Sequence, residues 1–271
     1  MSLPRLLPLP LLVGSAFLLT GAVGARLAGS APPASPPPSP AFGADPGAGQ
    51  LLDEAAARIG PARVAWLETA VWQQVELQGL AYQAEGRYLA APGRRTRLDL
   101  RTRLGDTEGE VRVVSDGTAL WQGSRIGGGD WEGVGKIGLP AGPGGDGSHG
   151  WSFAGLSPLL QGLRTQMVWG RRELVRRGGR EYHKLTGTWA DAPKTTPRDG
   201  PWPEGLPRQC RLYLDAETLW PARVEWWGPD PPREGECLLV QMEFRDPVLN
   251  RPLPAEQCIR EFALAAEPTR R

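Results

Sequence analysis

Residues 97–104 read RLDLRTRL, and in this stretch charged side chains alternate with Leu98, Leu100, Thr102 and Leu104. A period of two is typical of a β-strand that has one solvated face and one buried face. The stretch therefore predicts a strand in a sheet that is covered on one side.

Turn signals separate further segments of this kind. Residues 111–114 and 118–122 flank Ser115-Asp116-Gly117, a sequence typical of a β-hairpin turn. The alternation recurs, less cleanly in the first two cases, in residues 63–78, 81–89, 174–175, 182–189, 210–214, 224–226 and 238–244. The first of these segments also fits a helix at its start. Because short connections favour antiparallel neighbours, the sequence predicts a meander of strands.

Two segments show the periodicity of helices instead. Residues 50–59 form the first, which Gly60-Pro61 ends. The second begins at Ser157-Pro158, and its apolar residues form one stripe: Leu156, Leu159, Leu160, Leu163 and Met167. That stripe must lie on an apolar surface, and the buried face of the sheet is the one available. Gly- or Pro-rich sequence predicts irregular loops at residues 123–150, 192–207 and 228–236.

The N-terminal part of the chain is predicted to be an export segment and a linker rather than part of the folded domain. Residues 1–25 contain Arg5 followed by an uncharged apolar run over residues 6–25. This pattern indicates export, either with a cleaved signal peptide or with an uncleaved membrane anchor at residues 6–25. Residues 26–49 are rich in Pro, Ala, Gly and Ser, a composition typical of a disordered linker. The folded domain is expected at residues 50–271, in the periplasm or cell envelope.

Residues that commonly carry chemistry are few. The chain has 31 Lys and Arg against 30 Asp and Glu, a net charge of +1 that argues against a nucleic-acid partner. Two His and three Cys offer no metal-binding spacing, and no phosphate-binding or nucleophile motif occurs. We therefore predict no cofactor, no metal and no enzymatic activity.

The three cysteines allow more than one arrangement. Cys210 and Cys237 are expected two strands apart, which is too far for a disulfide. A bond between Cys237 and Cys258 is an open alternative, because disulfides are permitted in an exported chain. The other alternative is that all three serve as small apolar fillers.

Several phrases of the sequence match one known family. They are Glu85-Gly86-Arg87-Tyr88-Leu89, Val113-Val114-Ser115-Asp116-Gly117 with Leu120-Trp121, Arg211-Leu212-Tyr213-Leu214-Asp215 with Leu219-Trp220-Pro221, and Met242-Glu243-Phe244-Arg245-Asp246. In this order, together with the two helices, they resemble the LolA-like superfamily of periplasmic lipoprotein carriers. The chain also resembles exported proteins of unassigned function from Planctomycetes-type bacteria. Over residues 51–262 the resemblance implies an α+β fold, an unclosed antiparallel β-barrel (half-barrel) of about eight to eleven strands with covering helices.

The resemblance also implies a function without covalent chemistry. A monomer would bind a lipid, or the acyl chains of a lipoprotein, in an apolar groove, and the eleven Trp fit an aromatic groove or core. We expect the groove to be lined by Leu98, Leu100, Val113, Trp121, Leu160, Leu163, Leu212, Leu214, Val224, Trp226, Met242 and Phe244. Each of these residues fits a plain core equally well. The alternative is a tethered structural or interaction domain of the envelope with no ligand, which a well-filled half-barrel would favour.

Overall fold

The computed structural model describes residues 45–77, 80–138, 155–170, 172–190, 207–229 and 235–252, together with 254, 256, 261 and 262. The predicted export segment at residues 1–25, the predicted linker up to residue 44 and Cys258 lie outside the described residues. The same holds for residues 139–150 and 192–206 of the predicted loops.

Helix α1, Pro46–Arg58, begins where Asp45 caps it. The Asp45 carboxylate accepts a 2.8 Å hydrogen bond from the backbone N–H of Gly47, and proline fills the first helical position. The sequence assigns residues 46–49 to the linker, and the structure corrects that boundary. A capped start followed by proline outweighs the linker-like composition of these residues, and Ala48 is fully buried.

Within the described ranges, twelve strands form one antiparallel sheet. They are β1 Leu67–Leu77, β2 Leu80–Ala91, β3 Arg95–Leu104, β4 Thr107–Asp116, β5 Ala119–Ile126, β6 Glu132–Gly138, β7 Met167–Trp169, β8 Glu173–Arg177, β9 Arg180–Trp189, β10 Gln209–Asp215, β11 Pro221–Pro229 and β12 Glu236–Leu249. Their order is β6-β5-β4-β3-β2-β1-β12-β11-β10-β9-β7, and β8 pairs with β9. Within the described residues β6 and β7 do not pair with each other, so the sheet is unclosed. The predicted unclosed antiparallel barrel is confirmed, with eleven strands in succession and β8 at the edge.

The strand order arises from two meanders that meet in the middle of the sheet. Strands β1 to β6 pair successively along the chain, and β9 to β12 do the same. Strand β12 then lies antiparallel to β1, with Phe244 opposite Val71 and Met242 opposite Gln73. The first and last strands therefore hold the two halves of the sheet together through backbone hydrogen bonds.

Part of the Gly-rich stretch 123–150 is regular. The sequence predicts an irregular loop there, but β5 continues to Ile126 and β6 follows at Glu132–Gly138. Strand β6 pairs with β5, for example through Lys136 opposite Trp121. Glycine offers no side chain for packing, yet its backbone still forms sheet hydrogen bonds. The neighbouring strand, rather than the local composition, decides the conformation here.

One face of the sheet is covered by α1 and by a second helix, α2, at Leu156–Gln166. We call it the inner face. Apolar residues from both helices and from this face form one buried cluster, among them Leu52, Leu160 and Phe244. The predicted placement of α2 on the buried face of the sheet is confirmed. No helix in the part of the chain that the structure describes is long and apolar enough to cross a bilayer.

Gly86 allows a close approach between β2 and β3. It pairs with Leu100, and a Cβ added at Gly86 would lie 1.8 Å from the backbone oxygen of Asp99. No side chain fits in that space. Glycines placed in this way let a strand bend, so Gly86 permits the sheet to curve around the helices.

The outer face of β3 and β4 carries the charged residues that RLDLRTRL predicts. Asp99 accepts hydrogen bonds from the Nε atoms of Arg97 and Arg112, each at 2.6 Å. Partial burial opposes ionisation of Asp99, but the two guanidinium groups outweigh it and hold its pKa below the usual value. The carboxylate therefore links two positions of β3 and β4 across the sheet.

Candidate functional site

The predicted groove residues lie together on the inner face, with one exception. Most belong to the single buried cluster: Leu98, Leu100, Val113, Leu160, Leu163, Leu212, Leu214, Val224, Met242 and Phe244. Trp226 is partly buried and packs against this cluster. The strand register explains why they meet, because Val224 pairs with both Leu212 and Met242 and paired residues share a face. The structure brings these residues into one apolar layer between the sheet and the helices.

Trp121 is the exception. It follows Leu120, which belongs to the inner-face cluster, and adjacent residues of a strand point to opposite faces. Trp121 pairs with Val114, which itself follows the inward Val113. Trp121 therefore lies on the outer face, away from the other predicted groove residues. After an Asp-Gly turn, either of the two alternating sets of side chains in the next strand can point outward. Only the register of β5 against β4 decides which set does so.

One small crevice lies in the apolar layer. It has a volume of about 10 Å³ and is lined by Leu163, Met167, Trp189, Pro207, Gln209, Cys210 and Trp226. A space of that size holds one water molecule at most. Helix α2 supplies Leu163 at this crevice.

A continuous row of paired residues crosses the inner face at the end of the sheet where β1 ends and β2 begins. Through successive pairs it runs along Tyr82, Val75, Val240, Trp226 and Cys210. Cys210 then pairs with Gly187, and a Cβ added at Gly187 would lie 2.9 Å from the ring of Trp169. The row connects Tyr82 in one half of the sheet with the crevice at Trp226 and Cys210 in the other.

Two polar groups in the apolar layer, one on Gln73 and one on Tyr82, have no hydrogen-bond partner. Gln73 is 1% exposed and its Nε2 is unpaired, while Tyr82 is 8% exposed and its hydroxyl is unpaired. Gln73 lies opposite Ala84 and Tyr82 opposite Val75, so the two are diagonal neighbours on adjacent strands. Burial raises the pKa of the Tyr82 phenol, which stays protonated at neutral pH. An unpaired buried polar group costs about 1–3 kcal/mol, and packing alone does not explain why two occur side by side.

Sequence reasoning missed both residues, although one of them leaves a signal. In VWQQV, residues 71–75, Gln73 holds the inward position between Val71 and Val75, where the alternation demands an apolar residue. Nothing in the sequence reveals that Gln73 lacks a partner. Thr69 occupies an equivalent inward position of β1, yet its hydroxyl donates a 2.6 Å hydrogen bond to the backbone oxygen of Arg245.

The inner face offers apolar contact rather than reactive groups. Cys210 and Cys237 are free thiols on β10 and β12, separated by β11 as the sequence predicts. Burial, reinforced by the nearby charge of Glu225, raises the pKa of the Cys210 thiol well above its usual value. A protonated thiol is a poor nucleophile. Among the described residues no group of three or more His, Cys, Asp or Glu side chains is placed to hold a metal ion.

The outer face carries one deeply buried charge. The side chain of Glu225 is 3% exposed and pairs with the guanidinium groups of Arg223 and, at 3.6 Å, Arg177. Its Oε2 also accepts hydrogen bonds from the Tyr213 hydroxyl, at 3.3 Å, and from Nε1 of Trp227, at 3.0 Å. With these four partners the carboxylate links β8, β10 and β11. We therefore assign Glu225 a structural role.

A wider cleft of about 440 Å³ runs beside the outward side chains of β2 to β5. Two of its ion pairs are Arg103 with Glu108, at 3.3 Å, and Arg125 with Glu110, at 2.8 Å. Because acidic and basic groups alternate along it, the cleft presents no strong field of one sign. The inner face is therefore the better candidate for a binding site.

Comparison with known proteins gives a likeness of fold only. A scan against protein-family models finds no match, and neither does a search of curated proteins. Among solved structures, MucB is 15% identical, with 82% of this chain and 64% of that chain covered and a TM-score of 0.37. LprF from Mycobacterium bovis is 13% identical, with 78% and 96% covered and a TM-score of 0.40. A LolA superfamily protein from Nitrosomonas europaea is 13% identical, with 79% and 96% covered and a TM-score of 0.28.

A LolA superfamily protein is thus among the solved structures to which the chain has a distant likeness. The chain spans 64%, 60% and 56% of the three MucB chains it matches, so those proteins contain a substantial part with no counterpart here. The fold assignment itself rests on the order and pairing of the twelve strands.

Proposed function

We propose that this chain is a non-catalytic binding protein of the cell envelope that takes up the acyl chains of a lipid or lipoprotein on its inner face. One observation carries the proposal. Among the described residues, the inner face of an unclosed sheet forms a continuous apolar layer that two helices cover. Such a cover can move aside without breaking any strand pairing, so an apolar ligand can enter while the sheet stays intact.

Helix α2 is the part of the cover that we expect to move. It buries Leu156, Leu160 and Leu163 against the layer. It begins after Gly155, which has no side chain to form a capping hydrogen bond. An acyl chain that replaces these leucines exchanges one apolar contact for another, at about 0.8 kcal/mol for each buried methylene group. The exchange needs no change in charge or in backbone pairing within the sheet.

The proposed place of action is the periplasm or cell envelope, where the export signal in residues 1–25 would deliver the chain. Residues 6–25 would either be removed or stay as a tether, with the Pro-rich residues after them as a spacer. A tethered protein would pick up ligand close to the membrane, whereas a released one would act as a monomeric shuttle.

A second function is favoured by a different observation. The crevice described in the apolar layer has a volume of only about 10 Å³, too small for an acyl chain. A well-filled half-barrel suits a tethered structural or interaction domain with no ligand. MucB has been solved in complex with MucA, and a protein partner of this kind is the form that the second function would take here.

Mass spectrometry of the intact protein distinguishes the two functions. The protein is purified from its native envelope without detergent, measured under native conditions and measured again after solvent extraction. We expect the native mass to exceed that of the protein by the mass of a phospholipid or an acylated peptide. Solvent extraction should remove this excess mass. A bare protein mass, with no uptake from liposomes, would instead support the domain without a ligand.

A pair of variants in α2 then tests the site. Leu160 is fully buried and Gln161 beside it is exposed. We expect Leu160→Asp to lower lipid retention at least about tenfold with the far-UV circular dichroism of the sheet unchanged. Gln161→Asp is the control and should retain lipid. If Leu160→Asp unfolds the protein, or retains lipid as well as the control, the lid role of α2 is wrong.

A further inference from the structure

We infer that Gln73 and Tyr82 form a polar subsite inside the apolar layer that binds the carbonyl oxygen of an acyl ester. The inference rests on the proposed function and names the chemical feature of the ligand that the site recognises. It concerns two neighbouring unpaired polar groups of the inner face, Nε2 of Gln73 and the hydroxyl of Tyr82.

The two groups are placed to act together. Tyr82 pairs with Val75 and Gln73 pairs with Ala84, which makes them diagonal neighbours on β1 and β2. Side chains in that relation lie about 7–8 Å apart at the backbone and can reach one common atom. Both residues are more than nine-tenths buried, so a partner for them must come from within the layer.

The chemistry of the two groups selects the partner. The Nε2 group of Gln73 only donates hydrogen bonds, whereas the protonated phenol of Tyr82 can donate one and also accept. The two groups do not bond each other, and a carbonyl oxygen, which has two lone pairs, can accept a hydrogen bond from each of them. A hydrocarbon chain alone supplies none. An acyl ester combines an acceptor with apolar chains that fit the residues around it, such as Val240 and Met242.

The position of the subsite fits an amphipathic ligand. Tyr82 lies two residues after the start of β2, and Val75 lies two residues before the end of β1. At about 3.3 Å per residue, the subsite is about 7 Å from that end of the sheet. A headgroup would then project beyond the sheet end. The acyl chains would run the other way, along the inner face towards Phe244.

The inner face is long enough for this arrangement. From Val75 back to Leu67, at the start of β1, the strand covers about 26 Å. The hydrocarbon core of a bilayer is about 30 Å thick, so one acyl chain of a single leaflet needs about half of that. A chain anchored by its ester at Gln73 and Tyr82 therefore stays within the sheet.

Paired ester and ether lipids test the inference. Vesicles of a diacyl phosphatidylglycerol are compared with vesicles of its dialkyl ether analogue, which lacks only the carbonyl oxygens. We expect the full chain to bind the ester lipid about tenfold more tightly, as loss of two hydrogen bonds requires. The variant carrying Gln73→Leu and Tyr82→Phe should bind both lipids equally. Gln74→Leu is the control, because Gln74 belongs to the other set of alternating residues and bonds to Glu76.

Thermal unfolding of the lipid-free protein provides a readout that does not depend on binding. Gln73→Leu should unfold at a higher temperature than the unaltered chain, since it removes an unpaired polar group from an apolar layer. A lower unfolding temperature would mean that Gln73 has a structural partner, and it would overturn the inference.

The binding outcomes separate the inference from the proposed function. Equal binding of ester and ether lipids by the unaltered chain overturns the subsite and leaves the lipid-binding function standing. Binding of neither lipid overturns both. The mass of the ligand that copurifies with the native protein tells whether the ester comes from a free phospholipid or from an acylated peptide.

Discussion

The backbone N–H of Leu156 donates a 3.3 Å hydrogen bond to the phenol oxygen of Tyr88, so the first residue of α2 is tied to strand β2 beneath it. Tyr88 is fully buried, and the bond connects the start of the helical cover to the sheet. Because α2 is the element that we propose to move, we expect this contact to affect how readily the inner face opens.

Removal of the Tyr88 hydroxyl should loosen α2. We expect Tyr88→Phe to lower the free energy of unfolding by about 1 kcal/mol, which lowers Tm by about 2–4 °C for a domain of this size. Hydrogen exchange at the start of α2 should speed up more than exchange in β1 or β12. Tyr82→Phe is the matched control, since the hydroxyl that it removes has no partner. Equal destabilisation by both variants would show that the bond to Leu156 is unimportant.

Gly155 should not tolerate a side chain. Its φ is 121°, and an added Cβ would lie 2.6 Å from the Tyr88 hydroxyl oxygen. Gly155→Ala should therefore destabilise the protein by about 1–3 kcal/mol. In the Tyr88→Phe background the same substitution should cost less, because the oxygen that it meets is gone. Additive effects in this double-mutant cycle, measured by urea denaturation, would rule out the steric contact.

Gly86 and Gly162 should respond in opposite directions to alanine. At Gly86 the new Cβ would meet the Asp99 backbone, so Gly86→Ala should cost at least about 2 kcal/mol of stability. Gly162 lies within α2, and an added Cβ there has no atom within 4 Å. Gly162→Ala should stabilise the protein by about 0.5–1 kcal/mol. Urea denaturation of both variants measures the difference, and a neutral Gly86→Ala would contradict the close strand approach.

The Asp99 ion pairs should make stability depend on acid pH. A carboxyl whose pKa is lowered in the folded state stabilises the fold above its unfolded pKa, about 3.9. That contribution is lost as the pH falls through the lower, folded pKa. Asp99→Asn should therefore be about 1–2 kcal/mol less stable than the unaltered chain at pH 7. Urea denaturation at several pH values should show this gap shrinking below pH 4, and a constant gap would contradict the assignment.

Glu225 should matter more than the arginine that reaches it from β8. Glu225→Ala leaves the donors of Tyr213 and Trp227 without their acceptor and removes one of the two carboxylates that pair with Arg223, and it should cost about 3 kcal/mol. Arg177→Ala removes a half-exposed partner at 3.6 Å and should cost less than about 1 kcal/mol. Thermal unfolding of the two variants gives the comparison. Similar losses would mean that the Arg223 pair does not dominate the network.

The spacing of apolar residues along the chain predicted most of the fold. Alternation in RLDLRTRL predicted both the strand and its two faces, because a period of two fixes which side chains share a face. The stripe of leucines in α2 predicted that this helix covers the sheet, since an apolar stripe requires an apolar surface. Where composition was the guide, the prediction was wrong: residues 46–49 are helical, and part of the Gly-rich stretch forms β6.

The candidate site could be predicted only in part. Nearly all of the groove residues named from the sequence lie in the inner apolar layer, but alternation could not say whether they fill the space or leave a groove. Trp121 was placed on the wrong face because its register depends on pairing with β4. Gln73 and Tyr82 were missed because the absence of a partner is a property of the surroundings, not of the residue.

By itself the sequence determined the class of fold, the order of its elements and the sidedness of its strands, because these follow from periodicity and turn chemistry along a local stretch of chain. Only the tertiary structure decided that β12 returns beside β1, that Trp121 faces outward and that Gln73 and Tyr82 stand unpaired together in an apolar layer. Each of these depends on contacts between residues that are distant in the sequence, and no local pattern encodes which distant strand supplies the neighbour.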